Sequence, residues 1–282
     1  MRLILLTALA MATFATNSVL NRAAISTGGI DAGSFATLRL ISGAAMLAIL
    51  SLALRRGVPL GGRGRLVGVV ALLIYVFGFS LAYQRVDAGI GALIMVGCVQ
   101  ITMFAGALAT REAVPPLRWL GAGVASAGLV WLLWPDGSAA MPPFSGLAMA
   151  AAGIAWGIYS LAGRGGGDPL AGTAANFVLA AIAAIFIMLS LALWPGAAPL
   201  RMDAQGAALA VLSGAITSGL GYALWYTILP QLAATTAATA HLSVPIIAMA
   251  LGIPLLGEPM TGTFAVAAAL VLGGVGLSLL RH

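Results

Sequence analysis

The sequence contains no lysine and few charged residues of any kind. Charged residues make up 7% of its 282 positions and apolar residues 61%, whereas a soluble domain carries about 25% charged residues. The 13 basic and 7 acidic side chains are too few to cover a water-exposed surface. The composition therefore excludes a soluble protein and predicts that the lipid bilayer is its solvent.

The missing lysine and the single cysteine exclude several kinds of chemistry. A Walker-type phosphate loop, a retinal pump and a pyridoxal-phosphate enzyme each require a lysine, so ATP-driven and light-driven chemistry are excluded within this chain. Cys98 alone cannot form an intramolecular disulfide, a c-type haem attachment or a thiolate metal cluster. We therefore expect no cofactor and no metal site. The arginines are scattered, so the net charge of +6 predicts no nucleic-acid partner.

Apolar runs of about 20 residues predict membrane-spanning helices, and the whole chain divides into such runs. A cleaved signal peptide is the alternative for the first run, but its apolar character continues past Ala10 to Leu20. The loops are too short to hold a soluble domain. The sequence thus predicts an all-α integral membrane protein of ten transmembrane helices, with spans near 3–21, 32–54, 66–84, 88–109, 117–134, 144–163, 170–194, 204–229, 232–256 and 260–280.

The arginines also predict the orientation of these spans. Nine lie on one side of the predicted membrane and three, Arg22, Arg85 and Arg201, on the other, while Arg39 lies within a span. Because loops rich in arginine stay in the cytoplasm, we expect both termini to be cytoplasmic.

The second half of the chain resembles the first. At an offset of 146 residues Glu112 falls on Glu258, and at an offset of 142 Arg22 falls on Arg164. Each half holds five spans, an odd number, so the second copy must enter the membrane from the opposite side. The sequence predicts two inverted five-helix repeats, residues 1–137 and 138–282, an arrangement typical of secondary transporters.

Several motifs resemble a known family. Gly221-Tyr222-Ala223-Leu224-Trp225-Tyr226, the small-residue run 233–240, Pro245 and Gly257-Glu258-Pro259 resemble the second half of EamA-type members of the drug/metabolite transporter superfamily. The first half repeats the pattern more loosely in Leu38-Arg39, in 79–83 and in Arg111-Glu112, and Ala155-Trp156-Gly157 resembles the family's sixth span. Val99, Phe14 and Asn176 depart from the family pattern. The resemblance implies export or exchange of small metabolites, most often amino acids, across the bacterial cytoplasmic (inner) membrane by alternating access and without a cofactor.

Polar side chains inside the spans are the candidate functional residues, since burial in hydrocarbon is costly. Arg39 is either a structural arginine satisfied by helix-end carbonyls or Asn17, or a partner for a substrate carboxylate. His241, four residues before Pro245, is either hydrogen-bonded to a carbonyl freed by that proline or involved in proton coupling or substrate contact.

Aromatic residues form stripes on two predicted helices. Tyr75, Phe79 and Tyr83 share one face of span three, and Tyr222 and Tyr226 share one face of span eight. The stripes either pack the bundle or flank one cavity, with Trp156 as a third wall suited to an apolar or aromatic side chain. The candidate substrate-binding residues are Asn17, Arg39, Tyr75, Phe79, Tyr83, Trp156, Tyr159, Asn176, Tyr222, Tyr226 and His241, and no catalytic residue is expected.

The function that the sequence favours is export or exchange of neutral and aromatic amino acids by a secondary transporter. All seven carboxylates lie at span ends, which leaves facilitated export, exchange, or proton coupling through His241. Transport of another amphipathic metabolite or drug is an alternative. An intramembrane enzyme using Ser218 and His241, and a channel, are weaker ones. The expected partners are a small-molecule substrate and membrane lipid, and small-residue faces favour a monomer over a dimer.

Overall fold

The structure is a computed structural model that describes most of the chain. The described residues are 2–54, 56–62, 64–109, 116–133, 142–162, 168–196, 199–228, 231, 240–241 and 243–279. Glu112, Arg164 and the part of the small-residue run at 233–239 lie outside them.

Helices make up the described structure. Every regular element in the described ranges is a helix, and one isolated antiparallel bridge joins Ile30 to Met202. The predicted all-α class is therefore confirmed. The helices are α1 (Arg2–Ser26), α2 (Ala32–Ala53), α3 (Arg65–Ala82), α4 (Ala88–Ala109), α5 (Pro116–Leu133), α6 (Pro143–Ala162), α7 (Pro169–Ala192), α8 (Ala204–Ile228), α9 (Ser243–Leu256) and α10 (Gly262–Leu279).

Six helices are long and apolar enough to cross a membrane: α1, α2, α3, α6, α7 and α8. Shorter apolar helices of 10–17 residues lie within α4, α9 and α10. Large aliphatic and aromatic side chains on many of these helices are exposed, for example Leu66 at 75% and Phe186 at 65%. Such exposure suits a lipid surface, and the chain is a multi-pass membrane protein.

Three carboxylates that the sequence places at span ends cap helices. The Asp31 carboxylate accepts a hydrogen bond from the Ser34 amide at 2.8 Å at the start of α2. Asp168 accepts from the Leu170 amide at 3.0 Å at the start of α7, and Asp203 from the Gly206 amide at 2.6 Å at the start of α8. A side-chain acceptor here satisfies an orphan amide and complements the helix dipole.

The helices pack mainly across the two halves of the chain. Helix α2 packs on α7, α3 on α6, α4 on α6 and α9, α1 on α8 and α9, and α5 on α10. Glycines allow the closest approaches. A methyl group at Gly214 would collide with the Arg39 carbonyl and with Ser42 Oγ, so α8 lies directly against the backbone that carries Arg39.

Helix α8 changes its winding in the middle. Its segment Ser213–Leu220 is a π-helix between the α-helical segments Ala204–Leu212 and Gly221–Ile228. The wider i→i+5 winding is rare and is frequently found at functional sites. It places Ser213, Thr217 and Ser218 in the buried interior.

Candidate functional site

A cavity lies between α1, α3, α4, α6, α8 and the start of α9. Its volume is about 50 Å³, well below the roughly 300 to 1,000 Å³ typical of ligand pockets. A small-molecule ligand of ordinary size would fit this cavity only if the lining helices moved apart. The cavity is lined by Phe14, Asn17, Ser18, Tyr75, Phe79, Ala92, Met95, Val96, Val99, Gln100, Trp156, Thr217, Tyr222, His241 and Val244.

The two predicted aromatic stripes meet at this cavity. The Trp156 ring centroid lies 4.9 Å from that of Tyr75 on α3 and 5.0 Å from that of Tyr222 on α8. Phe79 extends the wall, at 5.5 Å from Tyr75, and Phe14 on α1 lies edge-on to Tyr222 at 5.8 Å. Rings from four helices therefore form one continuous wall, which is both core packing and cavity lining.

Arg39 lies behind this aromatic wall. Its side chain is fully buried and does not belong to the cavity lining. Nε donates to Ser218 Oγ at 2.9 Å, and Nη2 donates to the Tyr75 hydroxyl oxygen at 2.8 Å. The Tyr222 hydroxyl lies 3.4 Å from that of Tyr75. Tyr75 thus connects the buried guanidinium to the cavity.

The positive charge of Arg39 has no carboxylate partner in the described part of the chain. The ion pairs found there join Arg22 to Asp87 and Glu258, and Arg56 to Asp168. Arg39 Nη1 is buried without a hydrogen-bond partner. The guanidinium carbon lies 5.1 Å from the Tyr75 ring centroid and 5.3 Å from that of Phe79, and these cation–π contacts offset part of the desolvation cost.

Asn17 is bound to α8 rather than to Arg39. Its Oδ1 accepts hydrogen bonds from Ser213 Oγ at 2.6 Å and from Thr217 Oγ1 at 3.0 Å. Arg39 donates to the hydroxyls of Ser218 and Tyr75, so its hydrogen-bond partners differ from Asn17 and the helix-end carbonyls expected for a structural arginine.

His241 lines the cavity just before α9. Its ring lies 5.6 Å from Phe14 and is edge-on to Trp225 at 4.7 Å. Residues 240–241 and Ser243–Leu256 are helical, so Pro245 follows His241 by four positions, and Pro254 is a further proline within α9.

Besides Arg39, four predicted residues lie outside the cavity lining: Tyr83, Tyr159, Asn176 and Tyr226. Tyr83 is fully buried, donates to the Ala88 carbonyl at 3.3 Å and meets the Phe79 ring edge-on. Tyr159 stacks on Trp156 and accepts a hydrogen bond from Asn176 Nδ2 at 3.3 Å. Tyr226 packs, partly buried, against the core.

Asn176 connects the aromatic wall to a charged residue. Its Oδ1 accepts a hydrogen bond from Arg65 Nη1 at 2.7 Å, and the same nitrogen donates to the Gly172 carbonyl at 2.7 Å. A polar connection thus runs from the start of α3 through Asn176 and Tyr159 to the back of Trp156.

Comparison with known proteins identifies the family. Residues 144–280 match the EamA-like transporter family. An uncharacterized protein of Pseudomonas aeruginosa is 48% identical over 279 residues, which cover 99% of this chain and 94% of the relative. The chain belongs to the EamA-like transporter family. A crystal structure of another protein has the same fold, with a TM-score of 0.66 and 20% identity over 98% of this chain and 96% of that one.

Family membership makes this chain a membrane transporter of small molecules, since the family's members are transporters. In this EamA-like transporter the central cavity is the candidate substrate site. Six predicted residues line it: Asn17, Tyr75, Phe79, Trp156, Tyr222 and His241. Within the described ranges no three His, Cys, Asp or Glu side chains come together as they would around a metal ion.

Sequence reasoning missed the hydroxyl side chains of α8 in this EamA-like transporter. Ser213, Thr217 and Ser218 are buried and organise Asn17 and Arg39. The sequence did carry a signal for this polar cluster: three hydroxyl residues lie within six positions of an apolar span, beside Gly214. A buried hydroxyl needs a hydrogen-bond partner, so such a group predicts polar contacts inside the bundle. In the sequence analysis Ser218 appeared only as a possible nucleophile of the enzyme alternative.

Proposed function

We propose that this transporter exports or exchanges neutral and aromatic amino acids by alternating access around the central cavity. The observation that carries the proposal is the aromatic-lined cavity with Arg39 behind the Tyr75 hydroxyl. An amino acid matches both features, because its side chain suits the aromatic wall and its carboxylate suits the polar group behind it.

The Tyr75 hydroxyl is the group that would receive the substrate carboxylate. Arginine can only donate hydrogen bonds, so the Tyr75 oxygen is the acceptor from Arg39 Nη2. That leaves the Tyr75 proton for an acceptor in the cavity, and a hydroxyl that accepts from a cation becomes a stronger donor. Arg39 thus acts on the substrate through Tyr75.

Alternating access would use the two proposed inverted repeats, residues 1–137 and 138–282. The helix pairs support this arrangement. In two inverted repeats, helices α1 to α5 correspond in order to α6 to α10. Under this correspondence the packed pairs α2–α7, α4–α9 and α5–α10 map onto themselves. The pair α3–α6 maps onto the packed pair α1–α8, and α4–α6 maps onto α1–α9. These five helix pairs are therefore consistent with two inverted repeats, the arrangement that many secondary transporters use for alternating access.

The membrane arrangement is part of the same proposal. We propose ten spans with both termini in the cytoplasm, in the bacterial inner membrane, on the basis of the nine-to-three arginine asymmetry. Packing of one small-residue position within the chain supports a monomer. Gly128 of α5 lies against Leu270 of α10, where a methyl group would approach Leu270 Cβ to 2.8 Å.

Transport in proteoliposomes tests the proposal. Purified protein is reconstituted, and uptake is measured for labelled phenylalanine, leucine and alanine, with phenethylamine as a matched compound that lacks the carboxylate. We expect flux of the amino acids and a preference for phenylalanine over phenethylamine. No flux across a broad amino-acid panel would refute the amino-acid proposal.

Arg39→Ala tests the role of the buried charge in the same assay. We expect flux of the amino acids to fall while any flux of phenethylamine is unchanged, because Arg39 acts on the carboxylate through Tyr75. Equal loss for both compounds would assign Arg39 to the scaffold.

The second candidate is transport of another amphipathic metabolite or drug, which the aromatic wall also suits. Preferential flux of phenethylamine would favour it. The enzyme alternative has less support, because Ser218 Oγ is fully buried and accepts a hydrogen bond from Arg39 Nε.

A further inference from the structure

A cluster of charged residues closes the bundle at the end where α1 finishes and α4 begins. Arg22 comes from the last turns of α1, Asp87 precedes α4, and Glu258 lies between α9 and α10. The three side chains have relative exposures of 18%, 28% and 8%. The cluster therefore joins segments that are far apart in sequence.

Arg22 makes three contacts within this cluster. Nη1 donates to the Tyr83 carbonyl at 2.9 Å, at the end of α3. Nη2 lies 3.2 Å from Asp87 Oδ1, and Nε lies 3.6 Å from Glu258 Oε1. One guanidinium thus ties α1 to the ends of α3, α4 and α9.

Glu258 holds the start of α4. The Ala88 amide donates to both oxygens of its carboxylate, at 2.7 and 2.9 Å. An anion at this position complements the positive end of the helix dipole. Gly257, in the left-handed region at φ +65°, ends α9 and turns the chain toward α4, and the missing side chain of Gly252 leaves room for the carboxylate.

The cluster lies one helical turn from the central cavity. On α4, the first lining residue is Ala92, four positions after Ala88, which is about 6 Å along the helix. On α1, Ser18 lines the cavity and lies four positions, or one turn, before Arg22 on the same face. On α3 the lining residue Phe79 precedes Tyr83 by one turn as well.

A water-accessible pocket lies on the other side of the cluster. Its volume is about 400 Å³, and Arg22, Asp87 and Glu258 contribute to its lining together with Ser26, Thr27 and the segment 255–259. The ion pairs therefore separate this pocket from the central cavity. Contact with water lets charged groups separate without the full cost of leaving an ion unpaired in hydrocarbon.

From this placement we infer that Arg22 and Glu258 form a gate of the transport pathway, which closes the cavity at this end when Glu258 binds the Ala88 amide and Arg22. Opening requires the α9–α10 turn that carries Glu258 to leave the start of α4. The inference rests on the proposed alternating-access transport, and the arginine asymmetry assigns this gate to the outer face.

Thiol accessibility tests the gate without any substrate. In a Cys98→Ala background, Ser18→Cys reports on the cavity side and Ser26→Cys on the pocket side. A membrane-impermeant thiol reagent is added from the side on which α1 ends. We expect fast modification at position 26 and slow modification at position 18.

Opening the gate should change the modification rate at position 18 and leave the rate at position 26 unchanged. Loss of a charge-assisted hydrogen bond shifts an equilibrium by about tenfold or more, so Glu258→Ala and Arg22→Ala should each speed modification at position 18 by about that factor. The rate at position 26 should stay constant. Arg56→Gln is the matched control, since it removes the Arg56–Asp168 ion pair of 3.1 Å between the segment before α3 and the start of α7.

Two outcomes would overturn the gate. One is an unchanged rate at position 18 in both gate variants while position 26 still reacts at its normal rate. The other is an equal acceleration by Arg56→Gln. If no amino acid is transported but modification at position 18 is accelerated, the proposed substrates are refuted and the gate is supported. The two results are independent because the reagent assay contains no substrate.

Discussion

At the scale of single residues, Arg39 shows how a buried charge is held without an ion pair. Its guanidinium donates to Ser218 and Tyr75 and contacts two aromatic rings, and Nη1 keeps no partner. Hydroxyl oxygens satisfy donors but leave the net charge uncompensated. A permanent carboxylate partner would cancel that charge, whereas hydroxyls keep it available to an anionic group in the cavity.

Tyr75→Phe tests this arrangement. The variant removes the acceptor of Arg39 Nη2 and leaves a second charged donor unpaired, which costs roughly 1–3 kcal/mol or more. We expect a lower melting temperature in detergent and a KM for amino acids about tenfold higher, from the lost hydrogen bond. Tyr159→Phe is the control, because the Tyr159 hydroxyl accepts from Asn176 instead. Equal changes in KM for the two variants would contradict the role given to Tyr75.

The sequence indicated which polar and aromatic side chains are buried in the bundle, but it did not indicate their partners. The sequence left open whether the stripes of Tyr75 and Tyr222 pack the bundle or flank one cavity, and the two hydroxyls lie 3.4 Å apart. The bond from Arg39 to Ser218 joins positions 179 residues apart. No local periodicity encodes such a pairing, since it depends on how deeply α8 packs against α2.

At the scale of helices, α8 determines the position of Arg39. The π-helical segment Ser213–Leu220 presents three hydroxyl side chains inward, and Gly214 lets it approach the Arg39 carbonyl. The apolar run at 204–229 predicted a span here. Its change of winding could not be predicted, because the pattern of an apolar span does not distinguish π-helical from α-helical winding, and the segment lies against α1 and α2.

Gly214→Ala tests the close approach of α8 and α2. The added methyl group would collide with the Arg39 carbonyl, and overpacking of this kind costs about 1–3 kcal/mol. We expect a lower melting temperature and reduced transport, because Arg39 is displaced. Gly172→Ala in α7 is the matched control, since its methyl group would meet nothing within 4 Å, and alanine favours a helix over glycine by about 1 kcal/mol. An equally stable Gly214→Ala protein would show that the approach is not tight.

At the scale of the whole molecule, the described carboxylates lie at helix ends, whereas Arg39 is buried beside the aromatic wall. Span-end carboxylates were predicted from the sequence, but their separate roles were not. Asp31, Asp168 and Asp203 cap their own helices, which short sequence spacing can reveal. Glu258 instead caps α4, 170 positions away in sequence. This contact therefore depends on how the helices are arranged in the folded bundle.

The protonation of Glu258 should therefore bias the bundle between its conformations. Burial raises the pKa of Glu258 above its ordinary value of 4.5, as does Asp87, and these effects outweigh the Ala88 amide and Arg22, which lower it. A carboxyl released from the cluster into water regains its ordinary pKa, so the closed gate binds the proton more tightly than the open one. Linkage then requires acid to favour the closed gate, and that preference is lost as the pH rises through the raised pKa.

Modification of Ser18→Cys across a pH series measures this bias, with rates corrected for the thiolate fraction by using Ser26→Cys. We expect the corrected rate to rise as the pH increases from about 4.5, the ordinary carboxyl pKa, through the raised pKa. Glu258→Gln keeps an acceptor for the Ala88 amide but cannot ionise, so its corrected rate should not change with pH. A wild-type rate that falls over this range, or the same pH dependence in Glu258→Gln, would show that Glu258 does not control this end of the pathway.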